Sequence, residues 1–168
     1  IADGTSEKPI PSKRINTMSR KLKVFLSYSH EDENMKNILD KNLVMLKRSD
    51  KIDVWQDRAI KAGDVWDEQI RTELEAADII LLLISVDFNN SQYIWNKELK
   101  TAMERHERGE ARVIPIILRT CEWSEMPYAK LQALPTNAKP ISSFTDTDVA
   151  YTEVAKGIRM VVDHMLST

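Results

Sequence analysis

Glu98 is the side chain whose surroundings most need a chemical explanation. Ile94, Trp95, Thr101 and Ala102 lie three and four residues from it, so on a helix no basic group is placed to pair with it. Glu104, by contrast, has Lys100 and Arg108 at that spacing. Glu98 also lies too deep in its helical segment to act as an N-cap or capping-box residue. It is either a solvated glutamate or a carboxylate kept in apolar company, where it can stabilise positive charge developing on a substrate. Its place beside the loop after the central strand favours the second reading. Other chemistries are poorly provided for. The four glycines form no G-x-G-x-x-G or G-x-x-x-x-G-K-[ST] loop, and G-x-S-x-G and H-E-x-x-H are missing too. The single cysteine, Cys121, excludes disulfide scaffolds and cysteine-rich zinc sites and points to a reducing compartment; it has no paired base to make it a nucleophile. His106 and His164 fall on or beside helical stripes without partner ligands, so no metal site is expected.

The elements that must position these residues follow from composition and periodicity. A chain of 168 residues, 42% hydrophobic and 30% charged, fits one globular domain. A net charge of −2 removes the basic excess of a nucleic-acid binder. No apolar run approaches the roughly 20 residues of a membrane helix, which fits a cytoplasmic protein. Residues 1–20 mix Gly4, Pro9, Pro11 and polar groups without an apolar period, and read as a linker or vector remnant; residues 21–168 form the domain. Leu22–Tyr28 and Ile52–Trp55 read as strands. Between them, Met35, Ile38, Leu39, Leu43 and Leu46 mark one helix. Trp66, Ile70, Leu74 and Ala77 mark a second helix, with Asp64 as its capping candidate. Ile79–Ile84 is apolar throughout, as a strand buried on both faces must be. Trp95, Leu99, Ala102, Met103 and His106 form a third helical stripe, Val113–Leu118 a fourth strand, and Lys139–Phe144 a short fifth. Val154, Ile158, Val161, Val162 and Met165 close the chain as a helix that starts near Asp146 or Asp148. This alternation predicts an α/β fold, a doubly wound parallel sheet with helices on both faces. Ligands in such sheets sit outside the carboxyl ends of the strands, here after Tyr28, Trp55 and Ile84.

The residues at those edges resemble a known family. Val24–Asp32 is similar to the opening strand and box of Toll/interleukin-1 receptor (TIR) domains. Val54-Trp55-Gln56-Asp57 with Ile60, Gly63 and Trp66 resembles the second strand and the following BB loop of bacterial members. Ser91–Leu99 resembles the segment that carries the catalytic glutamate of NAD-cleaving members. The match is ordered and runs from about Lys21 to Met165. It implies a flavodoxin-like, five-stranded parallel sheet and an NAD+ nucleosidase that breaks the nicotinamide–ribose bond, with Glu98 catalytic. It further implies substrate contacts from Ser27, Tyr28, Ser29, Arg58, Ile60, Gly63, Trp66 and Trp95. NAD+ is then the substrate, with no prosthetic group. The implied partners are further copies of the chain, held through TIR–TIR contacts including the BB loop at 56–65, and an attached sensor domain in a bacterial immune effector; no direct nucleic-acid or membrane contact is implied.

That chemistry asks little of the protein. Nicotinamide leaves its pyridinium as a neutral molecule and needs no general acid, unlike the leaving oxygen in ordinary glycoside hydrolysis. One carboxylate stabilises the oxocarbenium-like ribose, and water or an internal nucleophile completes ADP-ribose or a cyclic form. Many family members place tryptophan four residues before the glutamate. Here that position is Ile94, between Tyr93 and Trp95; helical spacing lets Trp95 flank the substrate, and the residues leave both Tyr93 and Trp95 open for that place. Tyr28, Ser29 and His30 read either as ribose or phosphate contacts or as a turn with Ser29 capping the helix start. Trp66 reads as a core residue or a cofactor contact.

Two other readings compete. A TIR domain without turnover would act as a scaffold for homotypic assembly. A phospho-acceptor receiver domain shares the sheet and would use Glu31-Asp32, Asp87, Thr120 and Lys139-Pro140, but Lys139-Pro140 precedes its strand instead of ending it.

Overall fold

The computed structural model describes residues 20–56 and 66–168. The expected contacts Arg58, Ile60 and Gly63, the cap Asp64 and the segment 1–19 lie outside the described residues. Four parallel strands are present among those described: β1 (Leu22–Ser27), β2 (Ile52–Val54), β3 (Ile79–Ile84) and β4 (Arg112–Ile117). Their order is β2-β1-β3-β4, with Val24 opposite Val54 and Ile79, and Ile79 opposite Arg112. Every residue of β3 is buried, as its unbroken apolar run requires at the centre of a covered sheet.

Strand alternation divides the core into two layers. Leu81 and Leu83 face one layer with α1 (Glu33–Asn42), α2 (Val44–Arg48) and the C-terminal helix α6 (Thr147–Ser167). Ile80, Leu82 and Ile84 face the other with α3 (Trp66–Ala76), α4 (Val86–Asn90) and α5 (Lys100–Glu107). The doubly wound arrangement read from the sequence is therefore the arrangement found. One expected helix is two: the Leu43 N–H turns back to Asp40 O at 3.1 Å, which ends α1 and restarts the chain as α2. That break keeps Leu39, Leu43 and Leu46 inside while Met45 faces out.

The fifth strand expected over Lys139–Phe144 is replaced by a 3-10 turn at Ile141–Ser143. Leu134 instead takes the place outside β4, donating its N–H to Pro115 O at 2.9 Å and accepting from Ile117 N–H at 2.8 Å. The pairing stops at a single bridge: Pro115 has no N–H for a preceding partner, and the next N–H due on this edge, that of Thr136, donates instead to Glu153 Oε1 at 2.7 Å. Pro115 is tolerated because the alternation that sends the Ile117 N–H outward sends its own missing N–H to the same edge.

Gly157 in α6 makes room for this bridge: a Cβ there would meet the Leu134 side chain at 2.7 Å. Alanine normally favours a helix by about 1 kcal/mol over glycine. Gly157→Ala is nevertheless expected to lower stability to urea by about 1–3 kcal/mol through overpacking. In a Leu134→Ala background the same change should be stabilising, by about 1 kcal/mol.

Candidate functional site

β1 ends at Ser27, and the chain then turns sharply. Ser29 has extended backbone angles and its Oγ accepts from Glu31 N–H at 3.3 Å, capping the 3-10 turn His30–Asp32, as its residue type suggests. Tyr28 packs edge-on to His30, ring centroids 6.2 Å apart, and Lys36 Nζ lies 5.0 Å from the centre of the Tyr28 ring. Tyr28, Ser29 and His30 form one wall of a cleft of about 300 Å³ at the carboxyl edge of the sheet, with Trp66, Tyr93, Ile94 and Glu98 on other sides.

Glu98 reaches this cleft through a local irregularity. Ser91 Oγ accepts from Ile94 N–H at 3.2 Å, and Ile94–Leu99 is then wound as a π-helical turn that runs into α5. A π turn brings residues five apart into line, where an α-helix aligns those three or four apart. Tyr93 and Glu98 consequently line the same cleft. Trp95, expected beside the substrate, is turned into a different groove of about 410 Å³ with Leu99, Met103 and Pro127, and is 44% exposed.

Glu98 is only 7% exposed, with Ile70 and Ile94 on the same cleft wall. Ser27 Oγ donates to Glu98 Oε1 at 2.6 Å. Ser27 itself is 0% exposed, so it stands behind the carboxylate and not on the cleft wall where a substrate contact was expected. Glu98 also borders a second hollow of about 290 Å³, where Arg71, Lys97 and Lys100 stand beside Asp67 and Glu104. Trp66 is not a core residue. It is 44% exposed, and its ring meets Tyr93 with centroids 5.0 Å apart, while Tyr93 Oη donates to Asp67 Oδ1 at 2.8 Å. Trp55 lies flat on Phe25, centroids 5.7 Å apart, and Phe25 in turn lines the cleft.

A second polar cluster, not foreseen from the sequence, supports the cleft wall. Asp32 is 2% exposed and accepts from Arg119 Nε at 3.0 Å and Nη2 at 2.7 Å, and from Ser85 Oγ. Arg119 also donates to Asp87 Oδ2 at 2.6 Å, and the two carboxylates raise the Arg119 pKa above its ordinary value, Asp87 foremost. Ser85 Oγ in turn accepts from Phe88 N–H at 3.1 Å, capping α4. The aspartates a receiver domain would leave open are thus tied to one guanidinium. Only Arg119, two residues past β4, could have signalled this cluster, and its partner is 87 residues away.

The remaining reactive side chains are occupied structurally. His106 Nδ1 accepts from Val113 N–H at 3.1 Å, and burial, with Arg112 and Lys130 nearby, lowers its pKa and so favours the neutral ring this bond requires. Burial raises the pKa of the Cys121 thiol, which disfavours the thiolate. Among the described residues no three His, Cys, Asp or Glu side chains converge as a metal site would need. Arg119→Ala should cost about 3 kcal/mol in urea unfolding, because it strands the buried Asp32. Asp32→Asn in the Arg119→Ala background should recover part of that loss, since the amide oxygen still accepts from Ser85.

Comparison with known proteins bears on the family and the fold. The sequence model of the TIR domain family matches residues 24–150. An uncharacterized protein of Sinorhizobium fredii, y4lF, is 47% identical over 145 residues, which is 86% of this chain but 45% of that protein. The chain therefore spans less than half the length of this relative. The TIR domain of the Toll-related receptor TRR-2 from Hydra magnipapillata is similar with a TM-score of 0.56 and 21% identity, over 81% of this chain and 97% of that one. The RPS4 and RRS1 TIR domain heterodimer gives 0.54 and 11%, over 84% and 97%. A prokaryotic SEFIR domain gives 0.50 and 22%, over 81% and 91%. At such identities these structures speak for the fold.

Proposed function

The chain belongs to the TIR domain family, and from that premise we propose that it is an NAD+ nucleosidase with Glu98 as its catalytic residue. The observation that carries this reading is the placement of Glu98: a carboxylate 7% exposed on the wall of a cleft at the carboxyl edge of the sheet, beside two aromatic rings. The nicotinamide ring of NAD+ rests against Trp66 and Tyr93, and the ribose lies over Glu98. The C1′–N bond breaks, its electron pair stays with nicotinamide, and Glu98 stabilises the positive charge left on the ribose. Water then attacks C1′ and loses a proton, giving ADP-ribose; attack by a nitrogen of the adenine gives a cyclic form. His30 and Glu31 stand on the same wall, where the His30 ring offers a donor to the phosphate and the Glu31 carboxylate an acceptor to a ribose hydroxyl.

Activity is proposed to require self-association through TIR–TIR contacts that involve residues 56–65, under the control of an attached sensor domain and in the cytoplasm. The RPS4 and RRS1 TIR domains form a heterodimer, which supports pairing between domains of this fold. Among the described residues no helix is long and apolar enough to cross a membrane. The scaffold reading draws its support from the exposed Trp95 groove, a surface the catalytic reading does not use.

Purified protein incubated with NAD+ should release nicotinamide, and Glu98→Gln should lower that rate by about a hundredfold or more. Release at the same rate from Glu98→Gln would reject the assignment, and no release from assembled wild type would favour the scaffold. The rate should rise more steeply than protein concentration, because assembly populates the competent state. Trp66→Ala and Tyr93→Ala should each raise KM for NAD+ about tenfold, whereas Trp95→Ala should leave it unchanged.

A further inference from the structure

Ser27 has no packing reason to be a serine. It is the last residue of β1, fully shielded from solvent, and strand alternation gives it the same face as Phe25, in the apolar layer of Ile70 and Ile94. A buried hydroxyl is unfavourable there unless it is hydrogen-bonded. It donates to Glu98 Oε1 at 2.6 Å, across 71 residues of sequence, and so joins the end of β1 to the π turn. A glutamate has three side-chain torsions, so its carboxylate has several orientations in which to meet the cleft. The bond fixes one oxygen against the strand end, and with it the plane in which the carboxylate meets the cleft.

We propose that Ser27 is a positioning residue for Glu98: its hydroxyl holds Glu98 Oε1 against the end of β1 and so fixes the orientation in which the carboxylate meets positive charge on the ribose. The inference rests on the nucleosidase reading above. Ser27 does not touch substrate, because no part of it is exposed and it does not line the cleft that Glu98 lines. The effect of losing it should therefore appear in kcat and not in KM.

The test compares Ser27→Ala, Ser27→Thr and Ser27→Val in the full chain. Threonine and valine have the same shape and differ in the hydroxyl, so a packing effect strikes both alike. Hydrogen bonds to a charged group correspond to about ten- to a hundredfold in rate. Ser27→Ala and Ser27→Val should lose that much kcat with KM for NAD+ unchanged, and Ser27→Thr should recover most of it. Equal kcat in Ser27→Thr and Ser27→Val, or wild-type kcat in Ser27→Ala, would overturn the proposal. A second readout needs no turnover. The NMR signal of the isotope-labelled Glu98 carboxyl carbon, assigned by its loss in Glu98→Gln, should move in Ser27→Ala and hold near its wild-type position in Ser27→Thr. An unmoved signal in folded Ser27→Ala overturns the proposal even if threonine or valine prevents folding. If wild type releases no nicotinamide, the nucleosidase reading fails by itself, and the carbon signal decides whether Ser27 holds Glu98.

Discussion

Two carboxylates are buried at the carboxyl edge of this sheet, and the difference between their partners organises everything around them. Asp32 meets a full positive charge in Arg119, doubled by the Ser85 hydroxyl. That arrangement neutralises the aspartate and uses it to tie the His30–Asp32 turn to the ends of β3 and β4. Glu98 accepts from the hydroxyl of Ser27 and borders a hollow on which Arg71, Lys97 and Lys100 stand. Burial of an anion is costly in both places, but the first arrangement yields a rigid wall and the second an oriented negative group. On the nucleosidase reading, a wall and an anion on the same cleft are what a developing cation requires.

The π turn is the second constraint. Ile94–Leu99 carries the apolar side chains Ile94 and Leu99 inward and still delivers Glu98 to the cleft. Such turns are rare, and they recur where a side chain must be aimed instead of merely packed. Here the turn puts Trp95 on another groove and Tyr93 on the cleft, where its ring meets Trp66 and its hydroxyl meets Asp67 on the first turn of α3. The aromatic wall is thereby fastened to two helices.

How much of this the sequence discloses depends on the range of the interaction. The all-apolar β3, the period of α3 and α6, and the caps Ser29 and Asp146 are local patterns, and the structure contains them. Glu98 stood out because its helical neighbours lack a base, a local pattern as well. The choice between Tyr93 and Trp95 is not legible from a helical period, because the backbone winds one residue wider there and puts Tyr93 on the cleft with Glu98 and Trp95 on another groove. Asp32 with Arg119, and Ser27 with Glu98, pair across 87 and 71 residues and carry no periodic signature. The fifth strand failed for a different reason: on the outer edge of β4 Pro115 has no N–H to give and Thr136 gives its own to Glu153, so Leu134 makes the one bridge there.

On the nucleosidase reading, the two kinds of group in the cleft act on different states of one substrate. The nicotinamide ring of NAD+ is a flat cation in the ground state, and aromatic faces such as Trp66 and Tyr93 attract it. That attraction alone would oppose the reaction, since the ring becomes neutral as it departs. Catalysis requires an interaction that strengthens along the path. As the C1′–N bond lengthens, positive charge moves from the ring toward the sugar, so an anion gains most if it lies under the ribose and not under the ring. The separation between aromatic rim and buried carboxylate is therefore part of the mechanism. A Glu98 swung outward to the Trp66 ring would bind the ground state more tightly and forfeit the advantage that its place beside the end of β1 confers.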